Sequence, residues 1–265
     1  MSTLTAGEVV ARMKANHGMA WSDRSRRDTY KFGGPETVVK GIATAMFCSY
    51  QELERAVAAG CNMIIPHEDT FWRDDDVTTT VSGDPGYAKK VDFLREHDMV
   101  IYRMHDNVHA LGNRDFTYIG LARALGITQY ETTTLHHFQL PETTLGEMAA
   151  TFQKRLGDKA LRVVGDPKMK MSRLQLGVGY ATPNVNSPDV DVVVSGELQE
   201  TDGALDDPEY VLDANTLGIA KGWIMLGHHI SEEQGMLEMA AWIKGFVPEV
   251  PVQLVKVDEP FWVPK

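Results

Sequence analysis

The sequence is poor in cysteine and has no long apolar run. Its two cysteines, Cys48 and Cys61, lack C-x-x-C spacing and stand beside apolar segments, a pattern that favours buried free thiols over a disulfide or a zinc knuckle. No apolar stretch approaches the roughly 18 residues that span a bilayer, and residues 1–14 contain no long apolar core of a signal peptide. We therefore expect a cytoplasmic protein without a membrane partner.

Basic charge is also scarce. The 265 residues contain 26 Lys and Arg against 37 Asp and Glu, which gives a net charge of −11. Electrostatic attraction to a phosphate backbone is weak for such a chain, so nucleic acid is not an expected partner. With 43% hydrophobic and 24% charged residues, the composition is otherwise that of a globular protein with a full core.

Several nucleophile and nucleotide-binding motifs are missing. The chain contains neither a G-x-S-x-G nucleophile elbow nor a P-loop. Gly177-Val178-Gly179 follows an apolar run, but Thr182 stands where the third glycine of G-x-G-x-x-G would be. A hydrolase built on this sequence would therefore need a source of nucleophile other than an activated serine.

Short apolar runs alternate with longer amphipathic stretches, which predicts an α/β protein. The predicted strands are Val38–Ala45, Asn62–Pro66, Val100–Met104, Leu161–Gly165, Leu174–Tyr180, Asp191–Ser195, Trp223–Leu226 and Val252–Val257. The predicted helices are Gln51–Ala59, Gly86–His97, Phe116–Leu125, Leu145–Leu156, Pro208–Leu217 and Glu232–Gly245. Capping boxes at Thr144 and Ser231 predict two helix starts. We expect two α/β lobes, 1–127 and 128–265, although the same alternation also permits a (β/α) barrel.

Histidines follow three of the predicted strands directly, at the end where α/β sheets build their sites. The first strand end carries His67 beside Glu68. The second carries His105 and His109, which lie on one face if a helical turn starts there. The third carries Gly227-His228-His229-Ile230-Ser231-Glu232, in which His228 and Glu232 are brought together at a helix start.

This set of side chains predicts a metal centre. Imidazole and carboxylate ligands without thiolate suit Zn, Mn, Fe, Ni or Co, and five or six of them exceed the needs of one structural zinc. Two divalent ions per chain would fit, and would activate water without a protein nucleophile. Glu197, which follows another strand, is a candidate proton shuttle.

Together the three segments resemble the Nif-three-like family, known as dinuclear-metal-centre hexameric proteins and as GTP cyclohydrolase I type 2 homologues. That family has a His-His pair after an early strand, H-T-N-x-D after a middle strand, and G-H-x-x-[ST]-E near the C-terminus. The third motif is intact here, from Gly227 to Glu232. The resemblance implies two lobes with two mixed sheets flanked by helices, a metal cleft between the lobes, and a homo-oligomer that forms a toroidal hexamer.

The other two motifs depart from the family pattern in a reciprocal way. Glu68 stands where the second histidine is expected, and His109 stands where the family has Asp. The ligand set that the resemblance implies still has three histidines and two carboxylates. Its members are His67, Glu68, His109, His228 and Glu232. His105 matches the first histidine of the middle motif, and we assign it with Asp106 and Glu197 to orientation or proton transfer in catalysis.

Two functions are consistent with these residues. The first is a metal-dependent hydrolase that acts on a small heterocyclic or nucleotide-like substrate, similar to a GTP cyclohydrolase I type 2 by resemblance. The alternative is a hexamer that binds or handles metal for regulation without catalytic turnover.

Overall fold

The structure, a computed structural model, describes residues 3–74, 76–181, 183–197 and 206–264, and for Asn113 the backbone only. The chain forms two compact units. The first consists of Met1–Phe116 with Gly235–Val257, and the second of Thr117–Gln234 with Asp258–Lys265. Each unit therefore takes two pieces of the chain, whereas the expected lobes, 1–127 and 128–265, were each continuous.

The first unit contains a five-stranded mixed sheet. In chain order its strands are β1 (Tyr30–Phe32), β2 (Ile42–Ala45), β3 (Met63–Pro66), β4 (Val100–Tyr102) and β10 (Val252–Leu254). They lie in the order β1-β4-β3-β2-β10, and only the β1–β4 pair is antiparallel. Because β3 and β4 are parallel neighbours, their carboxyl ends meet at one edge of the sheet.

The second unit contains another five-stranded mixed sheet. Its strands are β5 (His137–Thr144), β6 (Arg162–Val164), β7 (Lys170–Leu176), β8 (Val192–Ser195) and β9 (Gly222–Met225). They lie in the order β5-β7-β8-β9-β6, with a parallel centre and two antiparallel edge strands. Two separate sheets confirm the expected α/β class and exclude the (β/α) barrel.

Eight α-helices occur in the described part of the chain. They are α1 (Ala6–Asn16), α2 (Tyr50–Ala58), α3 (Pro85–Glu96), α4 (Asp106–His109), α5 (Phe116–Leu125), α6 (Leu145–Leu156), α7 (Asp206–Thr216) and α8 (His228–Lys244). Short 3₁₀ turns occupy Thr78–Thr80, Gly112–Arg114 and Thr128–Tyr130. Within the described ranges, none of the helices combines the length and the apolar character needed to cross a bilayer.

Both sheets are covered on both faces, as their apolar strands require. In the first unit Ile42 and Ile65 belong to one apolar cluster, while their strand neighbours Ala43 and Ile64 belong to another. In the second unit the same alternation along β8 assigns Val192 and Val194 to one cluster and Val193 to the other. Each sheet is therefore a rigid support for the loops at its strand ends.

Both cysteines are free and buried, as predicted. Burial raises the pKa of the Cys48 thiol to about 12, and it also raises the pKa of Cys61. Because the thiolate is the form that binds metal or attacks a substrate, neither side chain is a candidate for chemistry.

Candidate metal centre

The first group of candidate ligands lies where β3 and β4 end. His67 directly follows β3, and its backbone N–H donates to Ala45 O at 3.0 Å. His105 lies three residues beyond β4 and precedes α4, whose last residue is His109. The His109 N–H donates to His105 O at 3.3 Å, so these two histidines lie one helical turn apart as expected.

The three imidazoles form one cluster. The ring centroids of His67 and His105 are 4.4 Å apart in a stacked arrangement, and the His109 ring lies 5.0 Å from His67 and 4.8 Å from His105. One nitrogen of each ring lies within 4.8 Å of the other two, a spacing compatible with one bound ion. The convergence of His105 and His109 predicted from their spacing is thus present, with His67 as the third member.

Each ring of this imidazole cluster is oriented through its Nδ1 atom. His67 Nδ1 is hydrogen bonded to Met104 O at 3.2 Å, His105 Nδ1 to Asp106 Oδ1 at 3.0 Å, and His109 Nδ1 to Asp115 Oδ2 at 2.8 Å. An oxygen acceptor at Nδ1 selects the tautomer whose Nε2 carries the lone pair, which is how histidines are held at metal sites. The donor set therefore fits a divalent metal.

The environment also keeps two of these histidines neutral. Burial lowers the pKa of His67 well below its ordinary value, and the neighbouring His105 and His109 lower it further. Burial also lowers the pKa of His105, and this effect exceeds the opposite influence of Glu68. A neutral imidazole is the form that binds metal, so these two rings need no deprotonation near neutral pH.

Glu68 lies against the same cluster. Its Oε1 atom is 3.8 Å from His105 Nε2, and its Oε2 accepts a hydrogen bond of 2.9 Å from Arg103 Nη2. Arg103 is completely buried and also donates from Nε to His67 O at 3.0 Å. The same guanidinium therefore contacts both members of the His67–Glu68 pair.

Asp106 supports His105 and stays ionised. Its Oδ2 accepts from Ser25 Oγ at 2.7 Å, and its Oδ1 accepts from Arg27 Nη1 at 3.0 Å. Burial by itself would raise the pKa of Asp106, but the hydrogen bonds from Ser25, His105 and Arg27 lower it below its ordinary value. Of the two roles considered for Asp106, orientation of His105 is the one that this geometry favours.

The turn that carries His105 is capped from a distant part of the chain. Asp28 Oδ1 accepts from the N–H groups of His105 (2.7 Å) and Asp106 (3.0 Å), and Oδ2 accepts from the N–H of Asn107 at 2.8 Å. These are the amides at the start of α4 that have no partner within the helix. Asp28 thus fixes the backbone from which two of the three imidazoles project.

The second group of candidate residues lies in the second unit. His228 and Glu232 are four residues apart on α8, with Nε2 and Oε2 separated by 3.0 Å. Glu197 Oε1 lies 3.3 Å from Nδ1 of the same imidazole. The structure therefore brings these three predicted residues together and places a carboxylate at each nitrogen of His228.

Two glycines allow this approach. Gly179 has φ +52°, and a Cβ atom there would lie 2.4 Å from Glu232 Oε1. At Gly196 a Cβ would lie 2.3 Å from Gly179 O. A side chain at Gly196 would clash with the backbone of Gly179, and one at Gly179 would clash with the Glu232 carboxylate, so glycine at both positions lets the two loops approach closely.

The predicted cap at Ser231 is wrong. Helix α8 begins at His228, so Ser231 lies inside its first turn. Its hydroxyl donates to His228 O at 2.7 Å and accepts from Gly179 N at 2.9 Å. Gly227, with φ +87°, makes the turn into the helix as expected. Ser231 therefore ties the Gly179 loop to the His228 turn. The other predicted capping box, Thr144 with Glu147, is confirmed.

The sequence predicts the orienting role of Asp106 but not the other residues that hold these ligands in place. Arg103, Arg27, Asp28 and Gly179 carry no local motif, because their partners lie tens of residues away in the chain. For Arg103 the available signal was an arginine within the predicted strand Val100–Met104, next to the apolar residues of β4. In all, His67, Glu68, His105, Asp106 and His109 lie in the first unit, and His228, Glu232 and Glu197 in the second.

A two-sheet α/β protein with imidazoles and carboxylates gathered at strand ends belongs to the class of candidate metal-binding proteins. The chain is a member of the Duf34/NIF3 (NGG1p interacting factor 3) family, which it matches over residues 30–260. This finding confirms the family resemblance inferred from the three motifs.

Individual relatives agree with this assignment. The chain is 28% identical over 211 residues to a Neisseria meningitidis serogroup B protein named GTP cyclohydrolase 1 type 2 homolog, covering 75% of this chain and 77% of that protein. A Bacillus cereus protein related to NIF3 superposes with a TM-score of 0.74 at 15% identity over 100% of both chains. A Staphylococcus aureus protein superposes with a TM-score of 0.73 at 17% identity over 99% of this chain and 100% of that one. At these identities the two solved structures establish the fold.

Proposed function

We propose that the protein is a metal-dependent hydrolase that acts on a small heterocyclic or nucleotide-like substrate. The proposed ligands are the imidazole cluster with Glu68 in the first unit and the His228–Glu232 pair in the second, with two divalent ions per chain. The observation that carries the proposal is the orientation of all three imidazoles through Nδ1, which is the support that metal-binding histidines receive.

Divalent ions bound by such ligands supply Lewis acidity, which acidifies water and polarises the bond to be hydrolysed. The residues of the chain would then hold and move protons. Asp106 keeps the proton of His105 on Nδ1, because its ionised carboxylate accepts that hydrogen bond. Glu197 contacts His228 Nδ1 and is partly exposed, so it is the carboxylate we assign to proton exchange with the substrate or with water.

The names of the relatives and the chemistry of the site support the proposed substrate class. The curated relatives carry the name GTP cyclohydrolase 1 type 2 homolog, and hydrolysis of a C–N bond in a heterocycle requires no protein nucleophile when a metal activates water. GTP is therefore the first substrate to test, followed by other purine nucleotides. We also propose that the protein forms a toroidal hexamer, which light scattering would test, and that it is cytoplasmic.

The first measurement is the metal content per chain, by elemental mass spectrometry of protein purified without added metal or affinity tag. Two ions per chain, together with turnover of GTP or a related nucleotide, would support the proposal. Ions that leave rapidly to a mild chelator, with no turnover, would support metal handling. No bound ion after reconstitution with Zn²⁺, Mn²⁺, Fe²⁺, Ni²⁺ or Co²⁺ would contradict both.

Glu232→Gln tests the second pair of ligands. We expect the metal content to fall by about one ion per chain because the neutral amide is a poor ligand, while the volume of the buried side chain is kept. Glu238→Gln, which removes a carboxylate from the same helix α8, is the matched control and should leave the metal content unchanged. Equal metal content in both variants would remove Glu232 from the ligands.

A further inference from the structure

Arg103 is an unusual residue for the edge of a sheet. Its side chain is completely buried, and a buried guanidinium costs free energy unless carboxylates and carbonyls satisfy it. Every hydrogen bond described for it goes to the segment that follows β3. Nε donates to His67 O, Nη1 to Asp74 O at 2.5 Å, and Nη2 to Glu68 Oε2 and to Asp74 Oδ1 at 3.1 Å.

These contacts continue into a closed ring of polar and charged side chains. Asp74 accepts from Arg27 Nε at 2.7 Å and from Arg27 Nη2 at 2.5 Å, and Arg27 Nη1 donates to Asp106. Asp106 is bonded to His105 Nδ1, and His105 Nε2 returns to Glu68 Oε1 at 3.8 Å. The ring therefore consists of Glu68, Arg103, Asp74, Arg27, Asp106 and His105.

The charges of this ring are partly balanced. The guanidinium groups of Arg27 and Arg103 face the carboxylates of Glu68, Asp74 and Asp106, and Arg103 Nη1 also lies 3.6 Å from Asp76 Oδ2. Arg27 lies between Asp74 and Asp106, whereas Arg103 is shared between Glu68, Asp74 and Asp76. Arg103 therefore offsets the charge of Glu68 only in part.

The ring also restricts how Glu68 can bind. Arg103 donates to Oε2, and Oε1 is the oxygen that lies 3.8 Å from His105 Nε2. Two ligand atoms that each lie about 2 Å from the same ion can be separated by up to about 4 Å, so the 3.8 Å between Oε1 and Nε2 is within reach of a shared ion. With Oε2 bonded to Arg103, Glu68 can offer Oε1 alone to a metal ion, as a monodentate ligand.

We propose that Arg103 is a positioning residue of the metal centre, which through the ring presents Glu68 as a one-oxygen ligand and sets the affinity of the imidazole cluster for a divalent ion. This inference rests on the proposed function. It accounts for the departure from the family pattern at Glu68, since a carboxylate in place of histidine needs a partner that fixes its rotamer and limits its charge.

The test compares Arg103→Lys with the wild-type protein by titration of Zn²⁺ and Co²⁺ against a competing chelator. Lysine keeps the charge but not the planar fork, so Glu68 is no longer held in one orientation. We expect the affinity for the metal to fall about 10–100-fold and the visible absorption spectrum of bound Co²⁺ to change. Arg12→Gln, which removes the exposed Arg12–Glu249 ion pair of the same unit, is the control and should alter neither.

A double-mutant cycle separates positioning from folding. If Arg103 acts through Glu68, then Arg103→Lys should cost no more than about twofold in affinity once Glu68→Gln is already present. If the losses of metal affinity in the two single variants multiply in the double variant, the two residues act independently and the inference is wrong. Should Arg103→Lys not fold, Asp74→Asn interrupts the same ring at a side chain that is 61% exposed, and it should weaken Co²⁺ binding and shift the Co²⁺ spectrum in the same direction.

The outcomes distinguish this inference from the proposed function. If Arg103→Lys and Asp74→Asn bind Zn²⁺ and Co²⁺ as tightly as the wild-type protein does, with the same Co²⁺ spectrum, the role of Arg103 is contradicted but the proposed metal centre is not. A wild-type protein that binds neither metal contradicts the metal centre itself.

Discussion

At the scale of single residues, the chemistry of the candidate site depends on histidines that are kept neutral. His67 is buried among other imidazoles, and this lowers its pKa in the folded protein while the unfolded chain keeps a value near 6.5. Below pH 6.5 the unfolded chain therefore binds a proton that the folded protein rejects. The stability of the metal-free protein is full above that pH and declines as the pH falls towards the folded pKa.

We predict that His67→Gln makes the metal-free protein less sensitive to acid. Below pH 6.5 the wild-type protein should lose about 1.4 kcal/mol more unfolding free energy per pH unit than the variant does. Urea denaturation of the chelator-treated proteins between pH 5 and 7.5 measures it. The pKa of His229 is raised by Glu233 and Glu259 against the effect of burial, so its contribution to stability changes with pH in the opposite direction. Because His229 is present in both proteins, this contribution cancels in the difference between them. Parallel pH profiles would show that His67 is not the responsible group.

The sequence predicted the histidines of the candidate site and the orienting role of Asp106, but not the other residues that hold them. His67, His105 and His228 stand next to apolar runs, so the strand pattern alone predicts that each lies at the end of a strand, at the edge of its sheet. Arg103 and Asp28 act across 29–79 residues of chain, through contacts that exist only after the strands have paired. Such contacts leave no local pattern in the sequence.

At the scale of elements, the short helix α4 illustrates a non-local dependence. Its four residues are too few to be stable alone, and its first amides are satisfied by the carboxylate of Asp28. The predicted helices and strands overlap the observed ones because their apolar periodicity is strong. Helix α1 was missed although Thr5 and Glu8 form a capping box, and β1 was missed because three half-buried residues at a sheet edge show no pattern. Strand β5 was also missed, because its residues are mostly polar and mostly exposed or half-buried.

We predict that Asp28→Asn loosens α4 and weakens metal binding together. An amide in place of one acceptor oxygen leaves backbone N–H groups without a partner, which should cost about 1–3 kcal/mol of unfolding free energy. Thr144→Ala is the control, since it removes the cap of α6 in the other unit at a cost of about 1 kcal/mol without affecting the metal. Urea denaturation and metal titration of both variants check this. Metal affinity equal to that of wild type in Asp28→Asn would mean that α4 does not position the ligands.

The loop at Gly179 gives a second test at this scale. Gly179→Ala places a residue with a side chain at φ +52° and a Cβ atom 2.4 Å from Glu232 Oε1, so we expect both lower stability and displacement of Glu232. Gly218→Ala, at φ +76° in open space, carries the backbone strain alone, about 1–2 kcal/mol. A larger loss of stability and of bound metal in Gly179→Ala than in Gly218→Ala is the expected result. Equal effects would indicate that the contact with Glu232 has no consequence.

At the scale of the whole molecule, the two units are interleaved in the chain. The first unit includes Gly235–Val257, which supplies strand β10 next to β2 and the core residues Met236, Met239 and Ile243. Sequence patterns predicted most of these elements, yet the expected boundary at 127/128 assumed that neighbours in the chain pack together. Which sheet a late strand joins is decided by tertiary packing, and a single sequence does not reveal it.

We predict that residues 1–127 do not fold as an independent unit. Without β10 and the Met236–Val247 segment, the first sheet has an open edge and its core lacks one side. Residues 1–116 joined by a flexible glycine and serine linker to 235–257 should fold cooperatively, as judged by dispersion of amide signals in NMR spectra and by urea denaturation. Cooperative unfolding of 1–127 alone would show that Gly235–Val257 is not needed to complete the first unit.

The same interleaving sets an order of events during synthesis. His67, Glu68 and His109 emerge from the ribosome early, but the sheet that supports them gains its last strand only when Val252–Leu254 has been made. At about 5–20 residues per second, the intervening residues take on the order of ten seconds to synthesise. Throughout that interval the imidazole cluster of a nascent chain would lie on an incomplete sheet, so we expect it to bind a metal ion with its final affinity only after Val252–Leu254 has joined β2.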